Sequence, residues 1–176
     1  EFLSVLGYPG PVVVKHLRQD GYTGILIVKE SCMVAQVENT GKQAATDIIF
    51  ANPYVTYASL EECDIPIVHD FLTKYQAKFG EICKTDSAYR GWDSVMCLWE
   101  ASRIAGTNER EKLNAAMNKV SIPGLGGRLD FTDGTREGYG SNFNTFAFID
   151  QKNILFEKWI ADGGYEAYKK KTGNEF

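Results

Sequence analysis

Residues 7–28, GYPGPVVVKHLRQDGYTGILIV, decide the fold. GYPGP at 7–11 is a turn whose prolines pre-set the first turn of a helix. The helix continues through VVVKHLRQD and stops at Gly21, and ILIV at 25–28 follows as a strand of apolar residues without polar alternation. A strand of that kind is covered on both faces, as in a parallel sheet. Upstream, FLSVL at 2–6 reads as a further short strand. Strand, helix and strand thus fit into about 28 residues, the size of a right-handed crossover unit with parallel strands. An α/β fold follows. ILIV then ends abruptly at Lys29, Glu30, Ser31 and Cys32. Because ligand groups in open parallel sheets gather at the carboxyl ends of the strands, this polar cluster is in the right place to hold something.

The chain of 176 residues is long enough for one domain with a sizeable core, or for pieces of two. Apolar residues make up 44% and charged residues 24%, which excludes a disordered, collagen-like or coiled-coil chain. A net charge of −4 and a pI near 5.3 provide no basic footprint, so nucleic acid is not an expected partner. No run of 18 apolar residues spans a membrane, and the opening EFLSVLGY is no secretory leader; it reads as a strand already under way, as in a processed or truncated chain. The four cysteines, Cys32, Cys63, Cys83 and Cys97, form no CxxC pair, so neither a zinc site nor a thioredoxin-like motif is supported. Three full pairings and four free thiols all remain open at this level.

Further along, 33–45 reads as a short helix or helical turn around Gly41, and TDIIFANPYVTY as β-rich, with Pro53 demoting part of it to an edge or crossing segment. From Pro66 to Phe79 the apolar residues Ile67, Val68, Phe71, Leu72, Tyr75 and Phe79 share one helical face. A longer helix is expected over 88–105, with Ser87 as N-cap, Gly106 as stop, and Trp92, Val95, Met96 and Trp99 inward. Asn108 with Glu111 resembles a capping box for a helix to about Lys119. The last third alternates short β stretches with Gly and Asp turns, which predicts crossing segments and a β-hairpin, and YEAYKKKTG forms a closing helix.

Four pieces, GYPGPVVVKHLRQDGYTGILIV, FLTKYQAKFG, AYRGWDSVMCLWEASRIAG and VSIPGLGGRLDFTDGTREGYGSNFNTFAF, resemble in order and spacing the C-terminal half of type I periplasmic solute-binding proteins, the branched-chain amino-acid-binding family of ABC importers. The last piece is the most specific, matching a family pattern in which spaced glycines lead into FD and a further glycine turn. The resemblance implies two Rossmann-like α/β lobes joined by crossing hinge segments, with a ligand in the cleft between them. Residues 1–53 and 145–176 would belong to the second lobe and 54–144 to the first. The chain would need its missing N-terminal half, or a second copy, to complete its sheet edges.

The resemblance also implies site residues. Glu30 falls where amino-acid-binding members place an acidic side chain that receives the ligand ammonium, which needs a charge partner once desolvated. Tyr8 matches a position of an aromatic or hydroxyl-bearing ligand contact, Ser31 flanks the glutamate, and Tyr89 lies where the long helix begins, near a cleft or hinge aromatic of the family. For each there is a plain structural alternative: a solvated loop start for Glu30 and packing for the tyrosines. Alternation aims Lys29 away from Glu30. This chain departs from the family at KESCM, where Cys32 and Met33 are bulkier than the usual small neighbours, which puts the ligand's identity in question more than the fold.

Enzymatic chemistry finds less support. His16 lies mid-helix beside Lys15 and Arg18, and His69 beside an apolar face, so neither pairs naturally with Cys32. GLGG at 124–127 does not follow a strand and open a helix, so it reads as a turn or hinge, and LEECD at 60–64 as a solvated loop. The expectation is an extracytoplasmic solute-binding component of an ABC importer, periplasmic or held at the cell surface by a lipid anchor upstream. It would take an amino acid or similar small polar solute and hand it to the permease, without cofactor, metal or reaction. The alternative is a ligand-sensing domain of a receptor or regulator with the same fold.

Overall fold

The computed structural model describes residues 3–5, 10–28, 41, 46–57, 59–140, 143–150 and 152–174. In chain order its elements are β1 Leu3–Val5, α1 Gly10–Gln19, β2 Leu26–Val28, β3 Ile48–Asn52, α2 Pro66–Phe79, α3 Asp86–Ala105, α4 Arg110–Met117, β4 Ser121–Gly124, β5 Gly127–Asp130, β6 Asn144–Ile149, β7 Lys152–Leu155, α5 Phe156–Ala161 and α6 Gly164–Thr172. They fall into two compact units, Glu1–Asn52 with Asn144–Phe176, and Pro53–Phe143. No helix among the described residues is long and apolar enough to cross a membrane.

The first unit is a five-stranded sheet in the order β1-β2-β3-β6-β7. β1, β2 and β3 run parallel, with Val5 opposite Val28 and Leu26 opposite Ile48, as the apolar run ILIV requires. The parallel-sheet expectation needs one amendment, because β6 and β7 add to β3 as an antiparallel hairpin and make the sheet mixed. The hairpin fits the expected turn chemistry: its corner residue Asp150 adopts a positive φ of 46°, which a short polar side chain tolerates. Alternation along the strands puts Leu26, Val28, Ile48, Phe50, Phe146 and Phe148 on one face, all buried. Phe50 and Phe146, directly opposed, stack at 5.3 Å, a contact worth about 0.5–1.5 kcal/mol beyond area burial. On the other face Ala147 packs with Trp159 of α5 and Tyr168 of α6.

A single guanidinium fastens the loops of this unit. Arg18, near the end of α1, donates to the carbonyls of Tyr22 (2.7 Å), Gly24 (2.8 Å) and Thr46 (2.9 Å), tying the approach to β2 to the approach to β3. Burial pulls its pKa down, and Asp47 pushes it back up. The closing helix is tied to the same loops: the Tyr168 hydroxyl donates to the Thr23 carbonyl (3.3 Å), and Lys171 meets Asp47 (3.3 Å).

The second unit is helical, with the β4–β5 hairpin as its one sheet among the described residues. α2 starts on Pro66 and ends at Gly80, whose φ of 79° lets its N–H reach the Gln76 carbonyl at 2.8 Å. Val68, Phe71 and Leu72 are buried as the helical face predicts, but Phe79, expected on that face, is 57% exposed at the last turn. α3 begins two residues earlier than expected: Thr85, not Ser87, is the N-cap, and its side chain accepts from the Ser87 N–H (3.3 Å). Gly106 stops it, as expected.

The inward face of α3 differs from the apolar reading. The buried stripe is Tyr89, Asp93, Cys97 and Ala101, while Val95 (64%) and Trp99 (59%) are exposed and Trp92 and Met96 half-buried. An aspartate inside the stripe turns the face away from what apolar periodicity indicates. The capping box is absent too: α4 runs only from Arg110 to Met117, Thr107 accepts from the Glu109 N–H (3.2 Å), and Asn108 accepts from the Ser102 hydroxyl (2.6 Å).

Arg18→Met keeps the buried stem and removes the donors to the Tyr22, Gly24 and Thr46 carbonyls. Urea denaturation of this variant should show a loss of about 2–4 kcal/mol with an unchanged m-value.

Candidate functional site

Glu30, Tyr8 and Ser31 lie outside the described residues, as do Lys29, Cys32 and Met33. What the structure does describe is the platform from which they continue. β1 and β2 end level, Val5 opposite Val28, at the carboxyl edge of the parallel strands. Tyr8 comes shortly after the first of these ends and Glu30 after the second.

Tyr89, the fourth expected residue, lies in the core of the second unit with no exposed surface. Its ring sits 4.9 Å from Phe71 and 5.7 Å from Tyr54, centroid to centroid. Its hydroxyl has no hydrogen-bond partner among the described residues, and burial pushes its pKa upward.

One turn further along α3 is a polar cluster that sequence reasoning missed. The Asp93 carboxylate, 2% exposed, accepts from the Leu125 N–H at 2.9 Å through Oδ1 and 3.1 Å through Oδ2. Oδ2 also accepts from the Tyr54 hydroxyl (3.2 Å) and the Tyr139 hydroxyl (3.0 Å). Burial raises the Asp93 pKa, and the Leu125 and Gly126 peptide N–H groups draw it back. Tyr139 is likewise pushed up by burial, to about 12. GLGG is therefore a turn, as expected, but one whose glycines serve close approach: a Cβ on Gly124 would come within 2.9 Å of Asp93 Oδ2, and one on Gly126 within 3.0 Å of the Tyr54 ring. The available signal was the i, i+4 series Tyr89, Asp93, Cys97, Ala101, in which a lone acid interrupts a small and apolar stripe.

All the partners of Asp93 are donors, so the cluster holds a carboxylate rather than passing a proton along a chain of bases. Cys97, on the same helix face, is pushed up to about 11 by burial and by the Asp93 charge, the opposite of an activated thiol. Cys63, Cys83 and Cys97 are all free, buried thiols; Cys32 lies outside the described residues. His16 and His69 are exposed on α1 and α2. Among the described residues no three His, Cys, Asp or Glu side chains converge as metal ligands, the LEECD loop included. A groove of about 240 Å³ lies beside α3, lined by Asp93 and Tyr139 of the cluster together with Cys97, Met117, Leu129 and Phe131, among others.

The sign of the Asp93 shift fixes a pH dependence. A carboxyl whose native pKa lies above its unfolded value binds its proton first in the native state, so its contribution to stability rises as pH falls through that window. The stability difference between the parent and Asp93→Asn, which does not titrate, should widen between neutral pH and the acid range. Paired urea titrations at each pH measure it, and groups common to both proteins cancel.

A family model described as periplasmic binding protein matches residues 2–142. No curated protein matches the sequence. Among solved structures, the chain is similar to the branched-chain amino acid transporter substrate binding protein LivJ of Streptococcus pneumoniae, solved in complex with isoleucine. It is 17% identical, with a TM-score of 0.67 over 88% of this chain and 43% of that one. The leucine binding protein LivK of Thermotoga maritima is 19% identical, with a TM-score of 0.65 over 88% and 43%. A fatty acid ABC transporter substrate-binding protein of Thermomonospora curvata is 14% identical, with a TM-score of 0.70 over 87% and 41%. The chain spans less than half the length of each. These likenesses establish the fold, the family match covers most of the chain, and the chain belongs to the periplasmic binding protein family, type I.

Proposed function

We propose that the chain is the C-terminal half of an extracytoplasmic solute-binding protein that serves an ABC importer and takes an amino acid or a similar small polar solute. The observation that carries this reading is the level carboxyl edge of β1 and β2, from which the chain runs on to Tyr8 and to Glu30 and Ser31. A carboxylate at a strand end suits a desolvated ammonium group, and a phenol beside it adds a stacking face and a donor. LivJ, whose structure holds isoleucine, shares the fold, so an amino acid is among the solutes this fold accommodates. The fatty acid transporter protein shares it as well, so the fold leaves the solute class to the residues of the site. We leave Tyr89 out of the contact set, since its ring is fully buried against Phe71 and Tyr54.

The reading assigns no reaction. Function is affinity, and the solute shifts the protein toward the state that binds it better, which the permease then recognises. The remaining half of the protein completes the fold in this proposal. The exposed row Val95, Leu98 and Trp99 on α3 is an apolar surface of the kind that a further α/β layer covers.

Calorimetric titration of the full-length protein with the common amino acids tests the assignment, with Glu30→Gln as the decisive variant. The parent should bind at least one of them, and the variant should lose about tenfold or more in affinity, the loss of one charge-assisted contact. Equal affinity in the two proteins would remove Glu30 from the site.

A further inference from the structure

The chain passes from the first unit to the second at Asn52–Pro53 and returns at Phe143–Asn144. Tyr54 stands just after the first crossing and Tyr139 just before the second, and their hydroxyls end on the same atom, Asp93 Oδ2, at 3.2 and 3.0 Å. The rings meet edge to face, with centroids 5.6 Å apart. From the geometry we infer that Asp93 is a common anchor for both crossing segments, holding their roots in the second unit as one rigid block.

Four further contacts belong to the block. The tip of the β4–β5 hairpin is bound to the same carboxylate through the Leu125 N–H, and Gly126 packs against Pro53 and Tyr54 so closely that a Cβ would fall 3.1 and 3.0 Å from them. Downstream, the Gly138 carbonyl accepts from the Asp130 N–H at 2.8 Å, which fastens the segment before Tyr139's neighbour Gly140 to the end of β5. The Arg90 guanidinium lies over the Tyr54 ring at 5.2 Å. Tyr54, Leu125 and Tyr139 are therefore hydrogen-bonded to α3 through one carboxylate, and Arg90 and Tyr89 of the same helix add ring contacts to Tyr54. Bending within the block would have to break these contacts. Asp93 acts here as a positioning residue, through the tyrosines and the hairpin. The inference rests on the division into two units and not on the identity or existence of a solute.

Hydrogen–deuterium exchange of the whole chain, parent against Asp93→Asn, Tyr54→Phe and Tyr139→Phe, tests it. Asp93→Asn should raise exchange about tenfold or more in 54–57, 124–126 and 137–140 together, with α2, β3 and β6 at parental rates. Each tyrosine variant should raise exchange most in its own root. The inference is overturned if Asp93→Asn leaves either root at the parental rate, or if exchange rises evenly through the second unit, α2 included, which is the mark of a general loss of stability. Should Asp93→Asn not fold, the tyrosine variants decide: parental exchange at both roots in both variants overturns the anchor, and a rise confined to each root supports it.

Discussion

A carboxylate taken out of water has to be met by donors, and in the second unit that requirement organises everything around α3. Asp93 draws the Leu125 peptide, the Tyr54 phenol and the Tyr139 phenol onto one helix, and Gly124 is a glycine because the carboxylate comes so near. Desolvation of an ion costs several kcal/mol, of order, unless such contacts offset it. The direction of the Asp93 shift shows that burial still outweighs the peptide donors. The donors thus offset only part of the cost of burial, and removal of any one of them leaves the carboxylate less compensated.

The first unit uses a charge of the other sign for the same task. Arg18 donates to three carbonyls that precede β2 and β3, where Asp93 accepts from donors that precede or follow the chain crossings. In both units a helix supplies one charged side chain; its partners are three loop carbonyls for Arg18, and one peptide N–H with two phenol hydroxyls for Asp93. The two devices suit units with modest apolar cores: the first has a sheet of short strands, and the second divides its buried residues between a cluster around Phe71 and Tyr89 and another around Cys97 and Val120.

Local pattern made much of this legible. The strand, helix and strand of 3–28, the face of α2 around Val68, Phe71 and Leu72, the stop at Gly106 and the β-rich hairpin before the last helices all follow from periodicity and turn residues. What failed did so because apolar periodicity assumes that charges face water. On α3 the acid is inside and Val95 and Trp99 are outside, so the face is rotated, and the partners that make this possible lie 32 to 46 positions away in sequence. The capping box at Asn108 failed for a related reason: Ser102, on the preceding helix, takes the asparagine side chain. Of the proposed site, Glu30, Tyr8 and Ser31 rest on resemblance and on the β1–β2 edge they follow, whereas the burial of Tyr89 depends on packing that no local pattern encodes.

Asp93 and the tyrosines act as one coupled unit, which a double-mutant cycle between Asp93→Asn and Tyr139→Phe, read by urea unfolding of the whole chain at neutral pH, measures. A coupling of about 1–3 kcal/mol is expected, because the phenol loses much of its value once the carboxylate is gone. Additivity of the two losses to within about 0.5 kcal/mol would contradict it, and Tyr139 would then be a packing residue that happens to lie near an acid.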